Sequence, residues 1–469
     1  MGHGLATAAA AVTMIMPILW HRQRSWQQQQ RSTSKTNIRS HSRSHSRRRP
    51  QIPTPSSSVR TLLCIITSIA PLLLVAITLP SPARADCECG YSAATRSWAN
   101  RTTVTTTTGE KQQDGEEDED GEWEYVFTDL IETDFARLGS SSIGADTDWA
   151  RQVFNLSRAR ARGEFGEMFA LGNVVDTAAG AAGGGNDEEG AALQLVVGSQ
   201  LVDGMVPVAE LDTRRLDLFW GTFRASMKLP RTPGTCAAFF WYFNDTQEID
   251  MEFLTKDFDA SNNSFPVNLV LQSAASAARG YDAAQTGDGS FVRAQLGFDP
   301  TAGFHEYRID YVPGRVVFYA DGRPLAAMRG GAVPASPGHL ILQHWSNGNA
   351  LWTGGPPTTD SSLAVRYVKA YFNSSAPQRA SDHAARCSDP AAAGAVCAVP
   401  DVADTATPNA SAAAAAWFFS DQANMTNNQT VYSWQSGGGG LGLRRQRGWL
   451  WWPSAAAALL VCGWSAALW

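Results

Sequence analysis

Residues 246–254 read TQEIDMEFL, a run in which acidic and apolar side chains alternate strictly. Successive side chains of a β-strand point to opposite faces, so this run predicts a strand with Glu248, Asp250 and Glu252 on one face. The opposite face is apolar and can seal a hydrophobic core. Carboxylates whose Cα atoms are roughly 6–7 Å apart repel one another, and this repulsion raises the pKa of at least one of them.

The acidic face has the composition of a glycoside-hydrolysing site, in which one carboxylate is the nucleophile and a second is the acid/base. The Cα atoms of Glu248 and Glu252 are roughly 13 Å apart in an extended strand. Retaining enzymes hold the two carboxyl groups about 5–5.5 Å apart, so sheet curvature and inclined side chains must close the gap. Asp250 lies between them and can hydrogen-bond the nucleophile. A solvated acidic face of an amphipathic strand is the alternative.

The aromatic run FFWYF at residues 239–243 precedes the acid strand. Sugar rings stack on aromatic faces, so this run favours a carbohydrate site, although it also fits a core strand. Tyr242 and Trp241 compete for the sugar-facing position, and we select Tyr242. In the run LILQHW at residues 340–345, alternation predicts that Gln343 and Trp345 face the sugar and that His344 is a core histidine. Trp352 follows in a Gly/Pro-rich loop and is predicted to cap the cleft.

Several stretches, in this order along the chain, resemble the active-site region of glycoside hydrolase family 16, in particular its fungal glucanase and transglycosylase members. They are GTCAAFF at 234–240, the acid run, FHEYRIDY at 304–311, VFYADGRP at 317–324 and HWSNG at 344–348. The likeness extends over residues 123–372. It implies an all-β, concanavalin A-like β-jelly-roll sandwich with a concave substrate cleft. It also implies that Glu248 is the nucleophile, Asp250 the assisting residue and Glu252 the acid/base. The motif is the uninterrupted form, which disfavours a plain laminarinase.

Composition is consistent with one large β domain. The chain has 469 residues, 44% of them hydrophobic, and contains 41 Gly and 23 Pro. Short strand-like runs separated by turns extend from residue 165 to 372 without convincing helical periodicity, which predicts a sandwich. The net charge is -6 and the basic residues cluster before residue 61, so nucleic-acid binding is not implied.

The chain divides into six predicted regions. They are a disordered basic leader (1–60), a signal peptide or signal anchor (61–85), a low-complexity linker (86–122), the catalytic β-sandwich (123–375), a glycosylated linker (376–448) and a C-terminal hydrophobic tail (449–469). Ala83 and Ala85 fit signal-peptidase cleavage before Asp86. The tail is either a lipid-anchor signal or a transmembrane segment. We therefore expect a monomer at the outer face of the plasma membrane or in the cell wall.

Cysteines and glycosylation sequons agree with secretion. Cys387 and Cys397 are predicted to pair with each other, and either Cys87 or Cys89 to reach Cys236. The eight His and the cysteines form no metal-ligand cluster, and no cofactor is expected. Asn244 carries a further sequon beside the acid strand. The predicted glycosylation sites are Asn100, Asn155, Asn262, Asn373, Asn409, Asn424 and Asn428.

The sequence thus predicts an extracellular retaining glycoside hydrolase that acts on β-glucan in cell-wall carbohydrate metabolism by double displacement. A cell-wall transglycosylase that crosslinks glucan, or chitin and glucan, is the first alternative. A lectin-like module on the same sandwich is the second, although a lectin has no use for three crowded carboxylates.

Overall fold

A computed structural model describes residues 86–95, 123–137, 143–146, 148–177, 192–402, 408–422 and 425. The predicted leader, the signal segment and the hydrophobic tail lie outside these residues. Within the described ranges no helix is long and apolar enough to cross a membrane.

The described residues form mostly β-strands. The strands are β1 Gly90–Thr95, β2 Trp123–Phe127, β3 Asp129–Asp134, β4 Trp149–Arg151, β5 Phe154–Leu156, β6 Gly166–Phe169, β7 Val174–Thr177, β8 Ala192–Val197, β9 Met205–Thr213, β10 Leu218–Lys228, β11 Cys236–Asn244, β12 Gln247–Leu254, β13 Pro266–Gln272, β14 Phe291–Gln295, β15 His305–Val312, β16 Arg315–Ala320, β17 Arg323–Arg329, β18 His339–Trp345, β19 Ser361–Ser374 and β20 Val396–Ala398. The helices are α1 Arg158–Ala161, α2 Ala274–Ala278, α3 Pro377–Arg386 and α4 Pro408–Ala416. Short 3₁₀ helices cover Phe135–Arg137, Ile143–Ala145, Leu171–Asn173, Thr255–Asp257, Ala283–Gln285 and Phe419–Asp421.

Two large sheets make the sandwich. One has eight strands in the order β17-β16-β15-β10-β19-β8-β7, with β3 also paired to β19. The other has nine strands in the order β14-β13-β12-β11-β18-β9-β6-β5, with β4 also paired to β9. This arrangement confirms the predicted all-β jelly-roll sandwich.

The acid run forms β12, and its apolar side chains point into the core as the alternation predicts. Ile249, Met251 and Phe253 are fully buried in the cluster between the two large sheets. The Phe253 ring lies 4.8 Å from the ring of Tyr307 on the eight-stranded sheet. Each side chain of this size contributes about 1.5–3 kcal/mol through burial, which fixes the register of β12. The three carboxylates must therefore point away from the core, on the outer face of the nine-stranded sheet.

A small third sheet corrects the predicted linkers. It has the strand order β2-β1-β20, so residues 90–95 and 396–398 form structure where linkers were expected. Tyr91 is buried, and its ring lies 5.4 Å from that of Tyr371 on the eight-stranded sheet and 4.9 Å from that of Phe419. The folded domain thus extends beyond 123–375 at both ends, because these flanking segments cover the eight-stranded sheet with aromatic side chains.

The predicted Cys387–Cys397 disulfide is wrong, as is the expected bond to Cys236. Cys87 pairs with Cys397, and Cys89 pairs with Cys387. The reason is the third sheet: β20 runs parallel to β1, with Cys397 opposite Tyr91, which brings the C-terminal cysteines beside the N-terminal ones. Each bond joins residues about 300 positions apart, at separations of 310 and 298.

The disulfides should hold the flanking segments on the domain. Replacing both Cys89 and Cys387 by serine is expected to lower the free energy of unfolding by about 2–5 kcal/mol, because the unfolded chain regains the freedom that the closed loop removes. Urea unfolding followed by tryptophan fluorescence measures this change. An unchanged midpoint would contradict the assignment of this bond as a stabilising clamp.

The sequons fall in different environments. Asn155 and Asn262 are exposed, whereas Asn373 is half-buried and its Oδ1 accepts the N–H of Thr128 at 3.2 Å. Asn100, Asn424, Asn428 and the side chain of Asn409 lie outside the described residues. Glycosylation at all seven positions stays a prediction.

Candidate active site

The three acidic side chains of β12 form a row on the outer face of the nine-stranded sheet. Glu248, Asp250 and Glu252 are only 1%, 3% and 2% exposed. In the register of β11, Tyr242 lies opposite Glu248, Phe240 opposite Asp250 and Ala238 opposite Glu252. In the register of β13, Gln272, Val270 and Asn268 lie opposite the same three residues. Neighbouring strands thus enclose the row with a mixture of apolar and amide side chains.

Burial and crowding raise the pKa values of two of the three carboxyls. Burial raises the pKa of Asp250 well above its usual range, and the charges of Glu248 and Glu252 raise it further. Asp250 is also hydrogen-bonded to Glu248, which raises the pKa of Asp250 further because its protonated form is the donor. Burial raises the pKa of Glu252 to about 8. A carboxyl with a pKa of about 8 holds its proton at neutral pH, as a general acid must.

Cys236 contacts the candidate general acid. Its thiol Sγ lies 3.8 Å from Oε1 of Glu252 and donates a weak hydrogen bond to it. Among the cysteines of the described residues, Cys236 is the one outside a disulfide, and it is buried. The sequence did not reveal this contact, because Cys236 was expected to pair. The alternation of β11 could have revealed it, since Cys236 and Ala238 share the face that meets Glu252.

The pH dependence of turnover should report Glu252. The general acid acts in its protonated form, so activity is expected to fall as the pH rises through about 8. The Cys236 hydrogen bond favours the carboxylate and lowers this pKa. Replacing Cys236 by alanine should therefore move the alkaline limb of the kcat profile to higher pH, by a fraction of a unit because a thiol is a weak donor. A limb that moves to lower pH, or stays in place, would contradict this role of Cys236.

The predicted sugar-facing residues lie on the same face as the acid row. Gln343 and Trp345 lie opposite Ala238 and Cys236 in the β18–β11 register. Trp345, Trp352 and Tyr242 belong to one apolar cluster on this face. Their contact with sugar stays a prediction, and one feature supports it: the indole Nε1 atoms of Trp345 and Trp352 are buried without a hydrogen-bond partner within the described residues.

The structure shows which way the side chains of Trp241, Tyr242 and His344 point. Trp241 points into the core, where its Nε1 donates to the carbonyl of Leu218 at 3.1 Å, and Tyr242 takes the outer face. The Tyr242 hydroxyl donates to Asp245 Oδ1 at 2.9 Å. His344 is a core histidine, as predicted: its Nδ1 donates to the carbonyl of Leu195 at 2.8 Å, and burial lowers its pKa to about 4.

Two further carboxyls near the site were not predicted. Gln343 Nε2 donates to Oε2 of Glu210 on β9 at 2.6 Å, so its amide is already engaged within the protein. Glu167 on β6 is fully buried, and burial together with the charge of Glu210 raises its pKa well above the usual range. Alternation in VAEL at residues 208–211 could have indicated Glu210. Glu167 lies on a four-residue strand with no comparable sequence signal.

Comparison with known proteins finds a family model that matches part of this chain. The model for Glycosyl hydrolases family 16 matches residues 207–367. A β-glucanase of Paenibacillus macerans is 31% identical over 142 residues, which cover 29% of this chain and 52% of that protein. A probable xyloglucan endotransglucosylase/hydrolase of Arabidopsis thaliana is 29% identical over 147 residues, covering 29% of this chain and 40% of its own length. The chain thus spans about half the length, or less, of these curated relatives.

Among solved structures, the β-glucanase of Bacillus licheniformis is similar, with a TM-score of 0.39 and 20% identity. The similarity covers 52% of this chain and 98% of that one. The sequence match includes β11, β12, β13 and β18, the strands that carry the acid row and its neighbours. Over residues 207–367, the chain is thus similar to glycosyl hydrolases family 16.

Proposed function

We propose that the protein is an extracellular retaining glycosidase that cleaves β-glucan. The observation that carries this proposal is the acid row of β12, in which Asp250 is hydrogen-bonded to Glu248 and burial raises the pKa of Glu252 to about 8. Several similar proteins are named β-glucanases, which supports β-glucan as the substrate class. The buried tryptophans beside the row supply apolar faces and N–H donors of the kind that bind sugar rings.

The proposed chemistry has two displacements. In the first, a Glu248 carboxylate oxygen bonds to the anomeric carbon while the bond from that carbon to the glycosidic oxygen breaks. Glu252 gives its proton to the departing oxygen. In the second, Glu252 takes a proton from water, and the water oxygen displaces Glu248 from the anomeric carbon. Asp250 donates a hydrogen bond to Glu248 and thereby keeps its negative charge in place before attack.

Secretion is supported by the two disulfides. Structural disulfides persist in oxidising compartments outside the cytosol, and Cys87–Cys397 and Cys89–Cys387 both link distant segments. A role at the cell wall would bring β-glucan to the site.

Transglycosylation is the second candidate for the same site. In that reaction a sugar hydroxyl replaces water in the second displacement, and one relative bears the name of both activities. The burial of the acid row favours this candidate, because a site that excludes bulk water gives a bound sugar acceptor an advantage over hydrolysis.

A donor and acceptor panel tests the proposal. The purified protein is incubated with laminarin, lichenan, xyloglucan or chitin oligomers, each paired with a fluorescent oligosaccharide acceptor, and products are followed by mass. Shortened glucan without label transfer means hydrolysis, and label in longer products means transglycosylation. Binding of a glycan without any change in its mass would favour the lectin-like module and contradict the proposed function.

A further inference from the structure

Residues 157–165, here called the strap, lie between β5 and β6 and include α1. The strap is docked on Asn347, two residues beyond the end of β18. Asn347 Nδ2 donates to the carbonyl of Ala161 at 2.6 Å, and the N–H of Phe165 donates to the carbonyl of Asn347 at 2.9 Å. The backbone at Gly163 approaches so closely that a Cβ there would lie 2.0 Å from the Asn347 carbonyl oxygen. The docking is therefore specific and admits no side chain at Gly163.

Arg162 of the strap makes a second contact, with the connection between β13 and β14. Its Nη1 donates to the carbonyl of Gly280 at 3.0 Å, and its guanidinium carbon lies 4.7 Å from the centre of the Tyr281 ring. The charge of Asp245 acts on both Arg162 and Tyr281. A hydrogen bond, a cation–π contact and an opposite charge thus converge on one side chain.

The two contacts lie at opposite ends of the acid row. Asn347 follows Trp345, which lies opposite Cys236 and hence beside Glu252. Tyr281 lies at the other end, because its carbonyl accepts Gln272 Nε2 at 3.5 Å and Gln272 lies opposite Glu248. Arg162 therefore joins a segment docked near the Glu252 end of the row to a segment near the Glu248 end.

The packing of the strap and the burial of the acid row add two observations. Leu156, Ala161 and Phe165, in and next to the strap, pack into the same apolar cluster as Trp345 and Trp352. Glu248 Oε1 and Glu252 Oε2 are buried from solvent. A substrate therefore reaches these two oxygens only after a neighbouring segment moves.

Arg162 and Tyr281, which contact each other, both have unfavourable backbone conformations. Arg162 has φ of 54° and Tyr281 has φ of 69°, both in the left-handed region that residues other than glycine rarely adopt. Such conformations persist where surrounding contacts compensate them, and here the two residues contact each other. Opening releases this backbone strain, so loss of the Arg162–Tyr281 contact should make the strap open at lower cost.

We propose that the strap is a gate over the acid row and that Arg162 is its latch, so that Arg162 determines which glycan chains reach Glu248. This inference rests on the proposed function of the row. A short oligosaccharide needs a brief, partial opening, whereas the interior of a long glucan chain needs the whole strap displaced. Loss of the latch should therefore favour polymer over short substrates.

Hydrogen exchange tests the gate without any substrate. Arg162→Ala removes the latch, and Gly163→Ala disturbs the docking on Asn347. In both variants the amides of the strap are expected to exchange about tenfold faster or more. Arg162→Ala loses the hydrogen bond from the guanidinium to Gly280, and Gly163→Ala distorts the hydrogen bonds between the strap and Asn347. Arg160→Ala and Gly172→Ala are the matched controls. Arg160 is exposed on the same helix, and a Cβ at Gly172 meets nothing within 4 Å.

Two results would overturn the gate. One is exchange in the strap that is unchanged in both Arg162→Ala and Gly163→Ala. The other is exchange that rises equally in the strap and in the core strand β12, since that indicates general destabilisation. Neither result depends on the activity of the protein, so failure of the gate is distinguishable from failure of the proposed function.

Kinetics then tests the role in selectivity, with the glucan found by the panel. Arg162→Ala is expected to raise kcat/KM for the polymer relative to its tetrasaccharide severalfold, with Arg160→Ala at the wild-type ratio. An unchanged ratio would leave Arg162 as a purely structural residue and contradict its role as a specificity determinant.

Discussion

Replacement of Glu248 by glutamine is expected to abolish turnover of β-glucan, with a loss in kcat of about 10⁴-fold or more. Glutamine keeps the shape of the side chain but lacks the anionic oxygen that bonds to the anomeric carbon. The measurement is reducing-end release from the active glucan at saturating concentration. Glu124→Gln, on the exposed edge of β2, is the matched control and should retain wild-type activity.

The same variant should remain folded and become more stable. Glu248 lies in a buried row of carboxyls, where its negative charge raises the pKa of Asp250. Removal of that charge relieves repulsion, so the thermal midpoint of Glu248→Gln should equal or exceed that of the wild type. Full activity in a folded Glu248→Gln protein would exclude Glu248 as the nucleophile. A further check is Glu248→Ala with added azide, which should restore cleavage and give a glycosyl azide of inverted anomeric configuration.

Replacement of Glu252 by glutamine is expected to reduce kcat about 10²–10⁴-fold on natural glucan, the usual contribution of a general acid. The loss should be much smaller on a substrate with a dinitrophenyl leaving group, because that group departs without a proton. The alkaline limb near pH 8 should also disappear, since Glu252 produces it.

The leaving-group comparison separates catalysis from folding. A merely structural defect would reduce turnover of both substrates equally and leave the alkaline limb in place. That pattern in Glu252→Gln would contradict its assignment as the acid/base. Binding should be retained, because glutamine preserves the volume and hydrogen-bonding oxygen of the side chain.

Short-range alternation predicted the orientation of the β12 side chains correctly for a physical reason. Side chains in β12 alternate with a period of two, so the core-facing set Ile249, Met251 and Phe253 fixes where Glu248 and its neighbours point. The same rule placed His344 in the core and Trp345 on the outer face. It could not choose between Trp241 and Tyr242, because the β11–β12 register shifts between Tyr242 and Asn244, where a bulge interrupts the alternation.

Features built from distant residues could not be predicted in this way. The disulfide partners lie about 300 positions apart, and only the parallel pairing of β1 with β20 brings them together. The Gln343 amide was correctly placed on the outer face, but its partner Glu210 comes from another strand. Arg162 lies in a sequence of ordinary polar residues, and its contact with Tyr281 joins segments more than 100 residues apart. No local period encodes such contacts.

The most direct test of the account is to trap the glycosyl-enzyme. The probe is a β-glucan oligosaccharide with a 2-deoxy-2-fluoro group and a dinitrophenyl leaving group. Fluorine slows both steps because it destabilises their positively charged transition states. The dinitrophenyl group departs easily and keeps the first step fast, so the covalent intermediate accumulates. The linkage is taken from the glucan that the panel identifies. Mass spectrometry of the intact protein and of its peptides should show one glycosyl group per chain, attached to Glu248. An adduct on any other residue, or its absence from a protein that cleaves the unfluorinated glucan, would contradict the account.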